Sequence, residues 1–169
     1  MIMNKKLIYV IVLFTVFSGS CFAQNISKKD LKEEQRRIND QKIENMINKK
    51  EFVFVAQIAL PQGYRSINLT TSPNYIKFFP DLIDSDLPFF GRAYSAAGYG
   101  DIGGMKFKGV PENYSFSKVK KGYEITATVN NDAHSYRITL SVGPEGSGTL
   151  TITSDYRSPI SYEGDIVLS

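Results

Sequence analysis

After Glu51 the sequence changes period. Phe52-Val53-Phe54-Val55-Ala56-Gln57-Ile58-Ala59-Leu60 is apolar on both faces of an extended chain, the pattern of a central strand covered on each side. Tyr123, Ile125, Ala127 and Val129 alternate with more polar residues, and so do Tyr136, Ile138 and Leu140. That is the period of a strand with one buried face. Turn-forming groups part the runs: Pro61-Gln62-Gly63, Ser72-Pro73-Asn74, Pro80-Asp81, Lys120-Lys121-Gly122, Asn130-Asn131-Asp132 and Pro144-Glu145-Gly146. Spacings of about 8–12 residues predict an all-β domain of roughly eight or nine antiparallel strands, a meander closing into a barrel or a two-sheet sandwich. One of these strands is expected over Tyr64 to Leu69. The aromatic residues are all Tyr and Phe, types that favour strands.

Two segments precede this domain. Residues 1–23 read as a secretory signal peptide: Asn4-Lys5-Lys6, an apolar run from Leu7 to Phe17, then Ser18-Gly19-Ser20 and Cys21-Phe22-Ala23. The apolar run is shorter than the roughly 20 residues that span a bilayer. Cleavage after Ala23 leaves a periplasmic chain beginning at Gln24. The alternative is a lipid anchor on Cys21, and the membrane enters as a partner only in that case. Cys21 is the sole cysteine, so no disulfide within the chain is possible.

Residues 24–50 form a charged N-terminal segment, helical over 27–49. Ser27 caps it, with Asp30 completing a capping-box pattern. Leu31, Ile38, Met46 and Ile47 mark a thin apolar stripe with Ile43 off its axis, and Glu33 lies four residues before Arg37. The expected role is a solvated helix leaning on the domain edge, with a partner-binding helix or a membrane spacer as the functional alternatives. Residues 51–169 make a single β domain.

The formal charge of +3 includes Lys5 and Lys6 of the signal segment. No basic patch with interleaved aromatics is present, which argues against a nucleic-acid partner. No Gly-x-Ser-x-Gly elbow, phosphate loop or His-rich metal pattern occurs. Gly98-Tyr99-Gly100 and Gly103-Gly104 follow no βαβ pattern, so dinucleotide binding is not supported. No cofactor, metal or catalytic residue is expected. His134 stands at a turn, without metal-ligand companions, as an exposed residue. Asp84 and Asp86 point the same way in a strand. They could do glycosidic acid–base work, with Asp101 as a possible third oxygen donor for calcium, but a solvated strand face explains them as well.

The densest unusual chemistry is Asp86-Leu87-Pro88-Phe89-Phe90-Gly91-Arg92-Ala93-Tyr94-Ser95-Ala96, followed by a Gly-rich loop with Tyr99 and Asp101. Pro88 holds Leu87 extended, and adjacent Phe side chains in a strand face opposite ways. Arg92 beside tyrosines can hold a carboxylate, a phosphate or a sugar ring, or can stack to lock a loop. Phe89, Phe90, Arg92, Tyr94, Tyr99 and Asp101 are therefore the candidate ligand-binding residues. Tyr156, Arg157 and Tyr162 carry the same ambiguity, with Arg157 placed to pair with a strand carboxylate. The functional expectation is a non-catalytic binding module for a small molecule, lipid, glycan or peptide. The alternative is a protein-interaction or inhibitor domain of the cell envelope. An envelope hydrolase using Asp84, Asp86 or Asp101 comes third.

Leu87-Pro88-Phe89-Phe90-Gly91-Arg92-Ala93-Tyr94 with Gly103-Gly104-Met105-Lys106-Phe107 resembles a family of small secreted bacterial proteins, domain of unknown function 4251. Glu51 to Ala56 with Leu60-Pro61, Lys121-Gly122-Tyr123, and Thr153 to Gly164 match at the corresponding places. The resemblance runs from about the N-terminal helix to the end of the chain. It implies an exported protein and carries over no catalytic residue.

Overall fold

The structure, a computed structural model, describes residues 27–70, 74–93, 104–131 and 134–168. The chain divides into a unit ending at Glu33 and a second from Glu34 to Ser169. Of the first, only the start of a helix is described. That helix, α1 (Lys28–Lys49), begins at Ser27, whose Oγ accepts from Lys29 N at 3.2 Å. It ends where Lys50 turns left-handed at φ 57° and Glu51 N returns to Met46 O.

Ten strands follow: β1 (Phe52–Pro61), β2 (Ile67–Asn68), β3 (Tyr75–Phe79), β4 (Leu82–Leu87), β5 (Met105–Gly109), β6 (Pro111–Val119), β7 (Gly122–Asn130), β8 (Ser135–Val142), β9 (Ser147–Ser154) and β10 (Ile160–Val167). They form one antiparallel sheet in the order β5-β4-β3-β1-β10-β9-β8-β7-β6, with β2 attached to β1. Of the two expected architectures, this is the barrel-like one. The sheet is continuous and curls until Phe107 of β5 stacks on Tyr136 of β8, ring centroids 4.1 Å apart. The edges β5 and β6 are joined by Val110, so the barrel is nearly closed.

β1 lies at the centre, between β3 and β10, but only one of its faces is buried: Phe52, Phe54 and Ala56 point into the core, whereas Val55 is 37% exposed, so the expected cover on both sides is not found. Its register breaks between Ala56 and Ile58, a bulge that leaves Gln57 exposed while Ala56 and Ala59 are buried. The core gathers the alternating residues of every long strand except β6, including Phe52, Phe54, Ile76, Phe78, Ile125, Ile138, Leu140 and Ile152. Burial of this apolar surface is the main stabilising term.

Three further expectations need correction. The strand over Tyr64 to Leu69 shrinks to Ile67–Asn68. β3 already occupies Phe52 to Val55 of β1, and the turn after Pro61 leaves only Ile58 and Ala59 free to pair. Buried Asn74 spans the remaining gap, donating to Leu69 O at 2.6 Å and accepting from Ala56 N at 2.8 Å. The buried helix face is Ile43, Met46 and Ile47, whereas Leu31 and Ile38 are 55% and 49% exposed. Ile43 thus belongs to the packed stripe. Polar contacts with β6 and β7 fix this orientation. Tyr114 donates to Ile47 O at 3.1 Å, Lys118 pairs with Asp40 at 2.9 Å, and Tyr123 donates to Glu44 at 3.2 Å. On the solvent side Glu33 pairs with Lys29, and Arg37 with Glu34, in place of the expected Glu33–Arg37 pair. Among the described residues no helix is long and apolar enough to cross a membrane.

Candidate functional site

The β9–β10 connection, Asp155-Tyr156-Arg157-Ser158-Pro159, builds the most distinctive corner of the barrel. Ser154 Oγ accepts from Arg157 N at 3.1 Å, a local side-chain turn that carries Arg157 into the fold, where it is 3% exposed. Its guanidinium carbon lies 4.9 Å from the Phe89 ring centroid and 4.9 Å from that of Tyr156. Nη1 donates to Gly104 O at 2.6 Å. Burying a guanidinium costs several kcal/mol in lost hydration, so charge-assisted hydrogen bonding and ring faces must offset it.

The same residue also holds the other flank of the 94–103 segment. The backbone of Arg157 pairs with Ala93 in an isolated antiparallel bridge. Ser158 N donates to Arg92 O at 2.9 Å, and Arg92 N donates to Ser158 Oγ at 3.0 Å. Just before, Pro88 O accepts from the buried Tyr162 hydroxyl at 2.6 Å. Burial pushes the Tyr162 hydroxyl pKa up, so it stays a donor.

A ring cluster supports this corner from β5 and β8. Phe107 stacks on Tyr136, Tyr136 meets Tyr156 edge-on at 6.1 Å, and the two tyrosine hydroxyls share a hydrogen bond at 3.0 Å. Burial, then that bond, raises the Tyr136 pKa. His134 stacks on Tyr156 at 3.6 Å and sets Nδ1 3.4 Å from Asp155 Oδ1. The expected exposed histidine is instead half-buried against a ring. It does sit at a turn, donating its N–H to Asn131 Oδ1 at 2.8 Å.

Of the residues singled out in the sequence, Phe89 is partly buried beneath Arg157. Phe90 is 37% exposed, and Arg92 is exposed with no side-chain hydrogen bond or ion pair among the described residues. Tyr94, Tyr99, Asp101 and Cys21 lie outside the described residues. Asp84 and Asp86 stand opposite Lys108 and Lys106 on β5, at 3.9 Å and 2.9 Å. Each carboxylate is thus a cross-strand ion-pair partner on an open strand face. No cluster of three or more potential metal ligands occurs among the described residues.

The corner joins segments that are far apart in sequence, around Pro88–Ala93, Gly104 and Ser154–Tyr162, and all of them fall within the stretch matched by one family model. The model, described as a domain of unknown function (DUF4251), matches residues 34–166. The chain belongs to the DUF4251 family. A crystal structure of a DUF4251 family protein from Bacteroides eggerthii DSM 20697, determined at 1.95 Å, is similar to it. The TM-score is 0.62 at 16% identity, over 78% of this chain and 88% of that one. At that identity the likeness is one of fold. No curated protein matches the chain.

Within this DUF4251 chain, sequence reasoning centred on Arg92, but Arg157 organises the corner. The available signal was Ser154-x-x-Arg157 just ahead of Pro159, a turn that aims a long cation inward between Tyr156 and Ser158.

Proposed function

We propose that this protein is exported to the periplasm and acts there as a non-catalytic binding module. Its contact surface is the Arg157 corner, with Phe90 and Arg92 as the reaching groups. One observation carries this reading: a buried cation is spent on fixing both flanks of one segment, while beside it a ring and a second guanidinium are left to solvent. The chemistry suits a peptide or protein partner that offers a carboxylate to Arg92 beside an apolar group for Phe90. Export rests on Lys5-Lys6, the apolar run to Phe17 and the small residues before Ala23. Intact mass of the cell-derived protein separates a chain starting at Gln24 from one lipidated at Cys21.

The binding test is fluorescence polarisation against a set of peptides ending in Phe or Leu with a free carboxylate. Saturable binding that weakens in Arg92→Ala and Phe90→Ala supports the reading. Equal binding by wild type and both variants, or none to any peptide, counts against it.

A further inference from the structure

A groove of about 510 Å³ lies across β8, β9, β10 and β1, at the strand ends opposite the Arg157 corner. Its walls follow from the ladder. Ser141, Thr149 and Glu163 are exposed and directly opposed in register across β8, β9 and β10, and Glu163 faces Ile58 of β1. Short hydroxyl residues therefore stand where longer side chains would fill the space. Gly148 and Gly164, also cross-strand partners, bring backbone to the groove. A Cβ on Gly148 would come 2.5 Å from Ser141 O, and one on Gly164 would meet Val55 O, so neither position admits a side chain.

The bulge of β1 supplies the most ordered polar group. It turns Gln57 outward, where Nε2 donates to Asp165 Oδ2 at 2.6 Å. One Asp165 oxygen is thereby oriented before any ligand arrives, and Gln57 Oε1 remains as an acceptor. Glu163 makes no hydrogen bond or ion pair among the described residues. Lys121 at the β6–β7 turn adds a single positive charge to the rim.

We propose that this groove is a saccharide-binding site, distinct from the contact surface above. Hydroxyl groups of Ser141 and Thr149, the carboxylates of Glu163 and Asp165 and the amide of Gln57 follow one another along it, so it can accept and donate at neighbouring points, as adjacent sugar hydroxyls require. Two carboxylates disfavour an anion. Half-buried Ile58 and the glycine backbone offer an apolar footing for the C–H face of a pyranose ring.

The test is an amide NMR titration of the full chain with glucose, N-acetylglucosamine and maltose. Saturable shifts are expected at Gln57, Ser141, Gly148, Thr149, Glu163 and Gly164 with at least one sugar. Glu163→Gln and Gln57→Ala should each weaken that binding about tenfold, or about 1.4 kcal/mol. Both positions are exposed, so the unfolding midpoint should not move. Absence of saturable shifts with all three sugars overturns the proposal. So do shifts confined to Phe90 and Arg92, or shifts unchanged in both variants.

Discussion

Arg157 donates from Nη1 to the carbonyl of Gly104 at 2.6 Å, across 53 positions of sequence. Its own backbone pairs with Ala93. One buried side chain and one backbone bridge thus set the distance between the two ends of the 94–103 segment, and with it the placement of Phe90 and Arg92.

Arg157→Met keeps much of the stem but leaves Gly104 O without its charged donor. The expected loss is about 1–3 kcal/mol of unfolding free energy, read from the urea midpoint. Arg157→Lys keeps the charge but loses the planar face between Phe89 and Tyr156, so it should also destabilise. An unchanged midpoint in both variants would show that the corner does not depend on the guanidinium.

Gly91 is packed too tightly for a methyl group. A Cβ there would meet Ser158 Oγ and come 2.5 Å from Phe89 Cζ. Gly91→Ala should push Phe89 from beneath Arg157 and strain the Arg92–Ser158 bond. The expected cost is about 1–3 kcal/mol. Thermal unfolding checks it, and a neutral outcome would mean that Phe89 has room to move.

Alkaline stability should fall in a defined window. Burial pushes the Tyr114 pKa up to about 12 from 10.0, and burial also raises those of Tyr123, Tyr136 and Tyr162. Below pH 10 these hydroxyls keep their protons in both the folded and unfolded chain, so the full stability is present. Between pH 10 and 12 the unfolded chain releases Tyr114's proton while the folded one retains it, and stability is lost as pH rises. Melting temperatures across this range should drop more gently in Tyr114→Phe. Identical slopes would assign the effect to other groups.

The fold was largely legible because strand periodicity survives tertiary context. Tyr123, Ile125, Ala127 and Val129 are all buried, as their alternation requires. The barrel could not be told from a sandwich, since closure brings together strands distant in the sheet order, as in the stack of Phe107 on Tyr136, and no local pattern encodes that. The short β2 was misjudged because its length is set by how much of β1 the neighbouring β3 leaves open. At the corner, Pro88 to Arg92 stood out by composition. Arg157 was marked only as a partner for a strand carboxylate; its hold on Gly104 O and Ala93 was not legible, because both are distant in sequence. His134 looked exposed because a ring 22 positions later, that of Tyr156, covers it.

The central claim is that Phe90 and Arg92 form a contact surface. A photo-crosslinking amino acid placed at Phe90, in cells making the full chain, tests it most directly. One discrete adduct is expected, which disappears with Arg92→Glu and is absent when the probe stands at exposed Val119. Adducts equal in pattern at both positions, or insensitive to Arg92→Glu, would contradict it.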